Sequence, residues 1–322
     1  MLAAYAHAIS RDDPLSCLTV GQVDPPEVPA DWVPVRVRAA SLNHHDLWAL
    51  KGQALAAERL PMILGTDAAG VTEDGREVIV HAVIGDPGPH RDETLDPRRS
   101  LLSEIYPGTL AEVVRVPARN LVDKPASLTF EEAACLPTAW LTAYRMLATR
   151  SGTAEGDTVL VQGAGGGVST ALIVLGKAMG RRVWATSRSA DKRQWALQIG
   201  ADEAFEPGAR LPEKVDAVME TVGEATWDHS LKSLRPGGRI VISGATSGAN
   251  PPADLNRVFF LQLSVVGSTM GTLEELQSLV ALLERTNVRP VIDRVLPISD
   301  ASQAFALMNA GEVQGKLVLT LP

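Results

Sequence analysis

From residue 157 onward, short β-type runs alternate with helical segments, and this alternation constrains the fold of the chain more than any other feature. Four runs have the length and the β-branched content of strands, at residues 158–162, 182–186, 215–220 and 239–243. Helical segments lie between them, at residues 168–179, 191–199 and 224–234. Strand–helix–strand units at this spacing predict a doubly wound α/β fold, a parallel sheet with helices on both faces.

The first third of the chain has a different pattern, in which apolar and polar residues alternate as in strands with one solvent-facing side. Residues 33–39, 76–80 and 112–116 show this period. Residues 85–108 are rich in Pro, Asp and Arg and have little periodicity, which is typical of a functional or disordered loop. A capping box at Thr129 begins a predicted helix that runs toward residue 149, with a kink at Pro137.

Composition excludes several classes of protein. A chain of 322 residues predicts two domains. Its 38 acidic against 30 basic residues give a net charge of −8, which argues against a nucleic-acid partner. Two cysteines exclude a disulfide framework and a four-cysteine zinc site. No apolar run approaches the roughly 20 residues of a membrane helix, and the N-terminus lacks the basic region of a signal peptide. We therefore expect a cytoplasmic protein without a membrane partner.

The turn after the first of these strands is glycine-rich, and a turn between a strand and a helix can present backbone N–H groups to a pyrophosphate. Its residues are Gly163, Ala164, Gly165, Gly166, Gly167, Val168 and Ser169. The GxGxxG spacing is not met literally, so the alternative is a turn that only packs closely on the sheet. The surrounding strand–helix–strand pattern favours a dinucleotide site.

The end of the next strand indicates which dinucleotide is bound. An NAD site needs a carboxylate about 20 residues after the glycines to accept from the ribose 2′-OH, and none occurs before Asp191. Ser187, Arg188 and Lys192 instead offer hydrogen-bond donors and positive charge to a 2′-phosphate. The alternative is that these are solvated residues at a helix start. The pattern predicts NADPH as the cofactor.

At this point the chain resembles the medium-chain dehydrogenase/reductase superfamily, and within it the zinc-free quinone oxidoreductase-like branch. The motifs that carry the resemblance are residues 40–47, 61–70, 136–144, the glycine turn, 234–240 and 315–316. The resemblance implies a GroES-like, β-rich substrate domain over residues 1–126 and 270–322. It also implies a Rossmann domain over residues 127–269 and a catalytic cleft between the two. Ser169, where many relatives have glycine, is a departure that affects helix–strand packing.

The positions that match zinc ligands in the superfamily carry other residues. The first cysteine corresponds to Asn43, the histidine to Thr66, the glutamate after it to Asp67 and the later cysteine to Thr138. Neutral amide and hydroxyl oxygens are poor zinc ligands, so we expect no metal at this site. A site rebuilt from His44 or His45, Asp67 and Cys135 is the alternative, although a buried, inert Cys135 is favoured.

Without a metal, a conjugated acceptor is the easier substrate, because a quinone or an α,β-unsaturated carbonyl spreads the developing negative charge. We expect Asn43 and Thr66 to donate to the oxyanion and His45 or water to supply the proton, with Asp67 in the same site. For Asn43 the alternative is a helix cap. For Asp67 the alternatives are acceptance from backbone N–H groups in a tight turn and a pair with Lys51.

The resemblance also implies further cofactor contacts. Residues of the substrate domain and of the strand ends would contact the phosphates, the adenosine and the nicotinamide: His44, Thr142, Thr221, Val222, Gly244, Ala245, Gly267, Ser268, Met270 and Lys316. Lys316 would reach the phosphates, the alternative being a surface lysine. The expected activity is NADPH-dependent reduction of a quinone or an enone. The alternatives are a zinc-dependent alcohol dehydrogenase and a low-turnover NADPH-binding sensor or interaction protein. We expect a homodimer formed through an edge strand at residues 264–267.

Overall fold

The computed structural model describes residues 1–322, and the chain divides into two compact units. The first unit comprises Met1–Ala139 and Met270–Pro322, and the second comprises Trp140–Thr269. The second boundary coincides with the sequence prediction, whereas the first lies 13 residues after the predicted 126/127. The reason is local, since the helix Phe130–Ala134 packs against strands of the first unit.

The first unit begins with ten strands and two helices. The strands are β1 (Leu2–Ala6), β2 (Leu18–Gln22), β3 (Val33–Ser41), β4 (Met62–Ile63), β5 (Asp67–Thr72), β6 (Glu77–Val80), β7 (Val83–Ile84), β8 (Ser100–Leu101), β9 (Val113–Val116) and β10 (Leu121–Asp123). The helices are α1 (His44–Leu50) and α2 (Phe130–Ala134). The predicted strands in this region are therefore present.

The second unit alternates helices and strands, and the chain then returns to the first unit. The second unit contains α3 (Leu141–Arg145), β11 (Thr158–Val161), α4 (Gly167–Ala178), β12 (Arg182–Thr186), α5 (Ala190–Gln198), β13 (Glu203–Phe205), β14 (Val215–Glu220), α6 (Glu224–Ser233), β15 (Leu234–Ile242), α7 (Leu255–Phe260) and β16 (Ser264–Gly267). The C-terminal part adds α8 (Leu273–Thr286), β17 (Ile292–Pro297), α9 (Ala301–Ala310) and β18 (Lys316–Thr320).

The largest sheet of the first unit brings distant parts of the sequence side by side. Its strand order is β10-β6-β5-β3-β18-β17, and β9 also pairs with β3. Ser41 at the end of β3 lies opposite Asp67 at the start of β5 on one side and opposite Val318 of β18 on the other. The C-terminal strand thus belongs to the first unit, as the sequence predicted, and its first residue, Lys316, is carried to the same end of the sheet.

The second unit is built on a parallel sheet with the order β13-β12-β11-β14-β15-β16. Helix α4 packs on β11 and β12, and α6 packs on β14 and β15. The core includes Leu160, Trp184, Val218 and Ile240. The strand order reverses between β11 and β14, and such a reversal is where ligands bind in open α/β sheets, outside the carboxyl ends of the strands.

Two segments differ from their sequence-based description. The helix expected from residue 129 to 149 is divided into α2, a π-helical turn at Leu136–Trp140 that contains Pro137, α3 and a second π-helical turn at Met146–Arg150. Proline removes one backbone donor, so a wider turn takes the place of regular α-helix. Residues 85–108 contain a single 3₁₀ turn, Glu93–Leu95, and the short strand β8. No helix has both the length and the apolar character required to cross a bilayer.

Candidate active site

A buried carboxylate, Asp67, lies at the centre of the candidate active site. It is 0% exposed, and its Oδ2 atom accepts hydrogen bonds from Ser41 Oγ at 2.6 Å and from Asn43 Nδ2 at 2.9 Å. The sheet register explains this meeting, because Ser41 and Asp67 lie opposite each other on β3 and β5. The expected pair with Lys51 is not formed; the cation beside Asp67 is Lys316, at 3.4 Å.

Lys316 is the second buried charge in this cluster, with only 2% of the residue exposed. Its ammonium donates to the Leu42 carbonyl oxygen at 2.7 Å, to Asn43 Oδ1 at 2.6 Å and to Asp67 Oδ2 at 3.4 Å. An ammonium has three N–H donors, so all three have acceptors within the first unit. The structure therefore gives Lys316 a different set of partners from the predicted phosphates, and it is not a surface lysine.

Residues at three of the positions that match zinc ligands form a continuous hydrogen-bonded line. Asn43 Nδ2 donates to Thr66 Oγ1 at 3.2 Å, and Thr66 Oγ1 lies 2.9 Å from Thr138 Oγ1. Asn43 and Thr66 are buried, whereas Thr138 is partly exposed. The structure thus brings together the two predicted oxyanion donors. Thr138 supplies a third polar group, the second hydroxyl of the line, for which the sequence predicted no catalytic role.

These residues do not fit a catalytic zinc ion. Such an ion needs three ligands of the His, Cys or carboxylate type, and no group of three or more of these residues could hold a metal. Asp67, the carboxylate beside this line, is already paired with the ammonium of Lys316. Burial raises the pKa of the Cys135 thiol to about 12, and the thiol donates to the Glu131 carbonyl oxygen. His44 or His45, Asp67 and Cys135 form no group that could hold a metal, so the rebuilt site does not fit either.

His45, the predicted proton donor, is buried beside a carboxylate. Its Nε2 atom lies 3.1 Å from Glu104 Oε1, and its Nδ1 atom has no hydrogen-bond partner. Burial acts to raise the pKa of Glu104, but hydrogen bonds from His45 and from the Leu101 N–H outweigh it and lower the pKa. The surrounding protein atoms and the charges of Lys316 and Lys51 lower the pKa of His44.

Helix α1, which carries both histidines, is capped by a residue that the sequence analysis missed. The carboxylate of Asp46 accepts from the backbone N–H of Asn43 at 2.8 Å and from that of Gly65 at 3.1 Å. Asn43, for which a helix cap was the alternative, is the N-cap residue of α1 and forms a capping box with Asp46. Its side-chain amide oxygen also accepts from Lys316. An acidic residue three positions after an N-cap is a sequence signal of a capping box, and it would have identified Asp46.

The burial of Asp46 has a consequence for stability. Burial is the largest cause that raises its pKa, from 3.8 to about 6. Between these values the folded protein holds a proton that the unfolded chain has released, so this group lowers stability as the pH rises. Between pH 3.8 and about 6, we expect the free energy of unfolding of the wild type to fall by roughly 1–3 kcal/mol relative to that of Asp46→Asn. Urea unfolding on both sides of the window measures the difference. Parallel pH profiles would contradict the prediction, and Asp12→Asn, at an exposed aspartate, is the control.

In the second unit, the glycine turn leaves no room for side chains at two positions. Gly163 and Gly165 have φ angles of +77° and +124°, which favour glycine. A Cβ atom would lie 2.6 Å from Val222 Cγ2 at Gly163 and 2.8 Å from Lys192 Cδ at Gly165. The glycine turn therefore lies against the turn after β14 and against the Lys192 side chain. Because α4 begins at Gly167, its first N–H groups point out of the helix without intrahelical acceptors.

The end of β12 is electropositive at the place where an adenosine ribose is expected. Arg188 is exposed and its guanidinium has no acceptor in the structure, and residues 185–190 contain no carboxylate. Ser187 is buried, and its hydroxyl accepts from the N–H of Ser189. Ser189 in turn caps α5 by accepting from the N–H of Lys192. The donor set fits a 2′-phosphate better than a free ribose hydroxyl.

In the second unit, the buried carboxylate of Glu220 supports the turn that contacts Gly163. It accepts from the backbone N–H groups of Val222 at 2.8 Å and Gly223 at 3.0 Å, and from the hydroxyls of Thr226 and Ser230. No motif in the sequence marks this role, because a carboxyl-terminal strand residue shows its partners only once the following turn and α6 fold back onto it. Glu220 holds the segment of Thr221 and Val222 in place.

The remaining predicted contacts are distributed over both units. Gly244 and Ala245 follow β15, and Gly267 and Ser268 lie at the end of β16, so all four are at carboxyl ends of parallel strands. Thr142 is buried on α3. Met270 belongs to the first unit, where it packs with Ala82, Val83 and Leu101. Their roles in cofactor binding stay predictions.

Comparisons with known proteins agree with this arrangement. Residues 29–126 match the family model of the alcohol dehydrogenase GroES-like domain, and residues 167–285 match that of the zinc-binding dehydrogenases. The 2-methylene-furan-3-one reductase of Solanum lycopersicum is 31% identical, over 91% of this chain and 73% of its own length. The crystal structure of an NAD-dependent alcohol dehydrogenase is 34% identical and matches over 100% of both chains with a TM-score of 0.91.

A further solved structure holds a cofactor and a substrate. The 2-octenoyl-CoA carboxylase reductase CinF, in complex with NADP and 2-octenoyl-CoA, is 28% identical with a TM-score of 0.89, over 99% of this chain and 87% of that one. The β-rich first unit and the unit built on a parallel sheet contain most of the residues matched by the two family models. The chain belongs to the medium-chain dehydrogenase/reductase superfamily of oxidoreductases, with a GroES-like domain and a Rossmann domain.

Proposed function

We propose that this protein is an NADPH-dependent reductase of conjugated carbonyl compounds, enones, enoyl esters or quinones, that works without zinc. One observation carries the proposal. The ammonium of Lys316 lies among the residues that match zinc ligands, bonded to Asn43 and 3.4 Å from Asp67. The buried ammonium repels a second cation, because it already lies beside Asp67, the carboxylate that such a cation would need.

The donors of this site suit a substrate whose charge is delocalised. Reduction of a simple ketone concentrates negative charge on one oxygen. Zinc, as a Lewis acid, stabilises that developing charge by several kcal/mol. Reduction of a conjugated carbonyl leaves an enolate, for which hydrogen-bond donors can suffice. Asn43, Thr66 and Thr138 supply amide and hydroxyl groups for this purpose. His45, whose Nε2 faces Glu104, is the candidate proton donor.

NADPH is the cofactor that the second unit suits best. When bound, it supplies the hydride for the reduction. Arg188 and Lys192 would hold its 2′-phosphate, and the glycine turn with the first N–H groups of α4 would hold the pyrophosphate. NADP is also the dinucleotide bound to the related carboxylase reductase, which supports this choice over NAD.

The relatives favour an alkene as the reacting group. One is a 2-methylene-furan-3-one reductase, and another binds 2-octenoyl-CoA, so both names describe a C=C bond conjugated with a carbonyl. The second candidate is an alcohol dehydrogenase, favoured by the similarity to an NAD-dependent one. Lys316 and the absence of a carboxylate at the end of β12 argue against zinc-dependent and NAD-dependent versions of that activity.

A spectrophotometric screen with metal analysis tests the proposal. We expect the purified protein to oxidise NADPH faster than NADH with enones, enoyl-CoA esters or quinones. We also expect chelators to leave the rate unchanged and zinc to be far below one ion per chain. Chelator-sensitive oxidation of simple alcohols with one zinc per chain would contradict the proposal. Tight NADPH binding without turnover across the panel would instead favour a sensor or interaction protein.

The homodimer remains part of the proposal. Strand β16 lies at the edge of the parallel sheet, with Val265 47% exposed. Phe259 and Phe260 on the preceding helix α7 are 67% and 79% exposed. An unpaired strand edge beside exposed aromatic residues supports pairing with a second copy. Light scattering of the wild type and of Phe260→Asp tests this interface.

A further inference from the structure

The buried lysine fixes the orientation of the neighbouring asparagine amide. An ammonium group can only donate, so the Asn43 atom 2.6 Å from Lys316 Nζ must be the amide oxygen. The amide nitrogen then faces the opposite way, toward Asp67 Oδ2 at 2.9 Å and Thr66 Oγ1 at 3.2 Å. Flipping this amide would place its oxygen against a carboxylate and its nitrogen against an ammonium. Asn43 is therefore a donor to Thr66.

The orientation of Asn43 in turn fixes the proton of Thr66. Its hydroxyl has one proton and accepts from Asn43. Thr66 is 0% exposed, so its proton needs an acceptor within the protein. The hydroxyl oxygen of Thr138, at 2.9 Å, is the acceptor that the structure offers. Thr66 therefore donates to Thr138, and the four groups form a line of hydrogen bonds directed from Lys316 outward.

Thr138 ends this line with a proton that no protein group accepts. Its oxygen accepts from Thr66, and no acceptor for its own O–H occurs in the structure. Unlike Asn43 and Thr66, Thr138 is partly exposed, so a ligand can reach it. Consecutive hydrogen bonds polarise one another, and this line of hydrogen bonds begins at the buried ammonium of Lys316.

We propose that the Thr138 hydroxyl is the group that donates to the substrate carbonyl oxygen, with Asn43 and Thr66 acting through it. This deepens the proposed function and rests on it. As the hydride adds to the β-carbon of the conjugated carbonyl, the electron pair of the C=C bond moves toward the oxygen. Thr138 stabilises the resulting enolate oxygen by a hydrogen bond and keeps its proton. The α-carbon takes its proton from His45 or water.

Three substitutions test the role of Thr138. Thr138→Val removes the hydroxyl and keeps the shape, and we expect kcat for an enone to fall about 100-fold, the typical effect of one oxyanion donor. Thr138→Ser keeps the hydroxyl, so it should retain most of the activity. Thr320→Val is the matched control, because this partly exposed threonine donates only to the Leu296 carbonyl oxygen. A Thr138→Val enzyme as active as Thr138→Ser would overturn the proposal.

Reversing the line is a second test. In Asn43→Asp an oxygen replaces the amide nitrogen, 2.9 Å from Asp67 Oδ2, so the two acids share one proton. The same oxygen of residue 43 then accepts from Thr66, and Thr66 accepts from Thr138. The Thr138 hydroxyl then donates its proton to Thr66 and can no longer donate it to a substrate, although Thr138 itself is unchanged. We expect kcat of Asn43→Asp to fall as far as that of Thr138→Val. The double variant Asn43→Asp/Thr138→Val should have a kcat no lower than that of either single variant. Circular dichroism and NADPH binding verify that the variants are folded. An active Asn43→Asp enzyme would contradict the directed line.

Neutron diffraction on the perdeuterated wild type separates this inference from the proposed function. The expected result is a Thr66 deuteron that points at Thr138 Oγ1. A Thr138 deuteron that points at Thr66 would overturn the inference whatever the enzyme reduces. If the wild type reduces no conjugated carbonyl, the proposed function fails and the catalytic role of Thr138 fails with it. The deuteron positions would then still decide the direction of the hydrogen bonds.

Discussion

Replacing Lys316 by methionine should destabilise the first unit by about 3–5 kcal/mol, because the substitution leaves a buried carboxylate without its counter-charge. Asp67 is 0% exposed and its Oδ2 is 3.4 Å from the Lys316 ammonium. The substitution also leaves the Leu42 carbonyl and Asn43 Oδ1 without their donor. Urea unfolding, followed by circular dichroism, measures the loss.

Two further variants identify the cause of this loss. Arg76→Met removes a cation from the pair with Asp123 in the same unit, but both side chains are more than half exposed. An exposed pair contributes about 0–1 kcal/mol, so this control should be nearly neutral. The double variant Lys316→Met/Asp67→Asn removes the uncompensated charge, and we expect it to recover a substantial part of the stability. A loss below about 1 kcal/mol for Lys316→Met would show that the pair does not support the fold.

Reversing the charge of Arg188 should weaken NADPH binding by at least about 100-fold and leave NADH binding almost unchanged. A hydrogen bond between charged groups contributes about 1.5–3 kcal/mol, and a glutamate at this position adds repulsion of the 2′-phosphate. NADH lacks that phosphate, so its affinity should not depend on the charge at residue 188. Titration of Arg188→Glu with both dinucleotides, by calorimetry or nicotinamide fluorescence, gives the two dissociation constants.

The same strand supplies the matched control. Arg182 lies at the amino end of β12 and is exposed, whereas Arg188 follows its carboxyl end, where ligands bind in such sheets. Arg182→Glu makes the same change in net charge, so a general electrostatic effect would weaken NADPH binding equally in both variants. An equal loss of NADPH affinity in the two variants would contradict a 2′-phosphate site at Arg188. So would an Arg188→Glu variant that loses the same affinity for NADPH and for NADH.

Much of the second unit could be predicted from its sequence, because local patterns decide local structure there. Strands β12 and β14 have the predicted bounds, and the ends of α4, α5 and α6 differ from the predicted ones by one residue. The region around Pro137 was harder to predict. A proline within a helical pattern indicates a break, but the choice between a kink and a π-helical turn depends on the packing around it.

The first unit shows where sequence patterns stop being informative. Asn43, Thr66 and Thr138 could be matched to ligand positions from their motifs, yet their hydrogen bonds could not. Asp46 carried a capping signal in the sequence, whereas Ser41 and Glu104 carried none. Hydrogen bonds between side chains depend on which backbones are neighbours, and the neighbours here are 23 to 72 residues apart in sequence.

The doubly wound sheet and the glycine turn follow from local sequence patterns, and so does the replacement of the residues that match zinc ligands. The interactions of the replacing residues follow from the fold. Lys316 is 249 residues from Asp67 along the chain. It reaches Asp67 because β18 pairs with β3 and β3 pairs with β5, so that the register of one sheet carries all three strands to the same end. A hydrophobic pattern specifies that a strand forms, but the pairing partner is set by the packing of the whole unit.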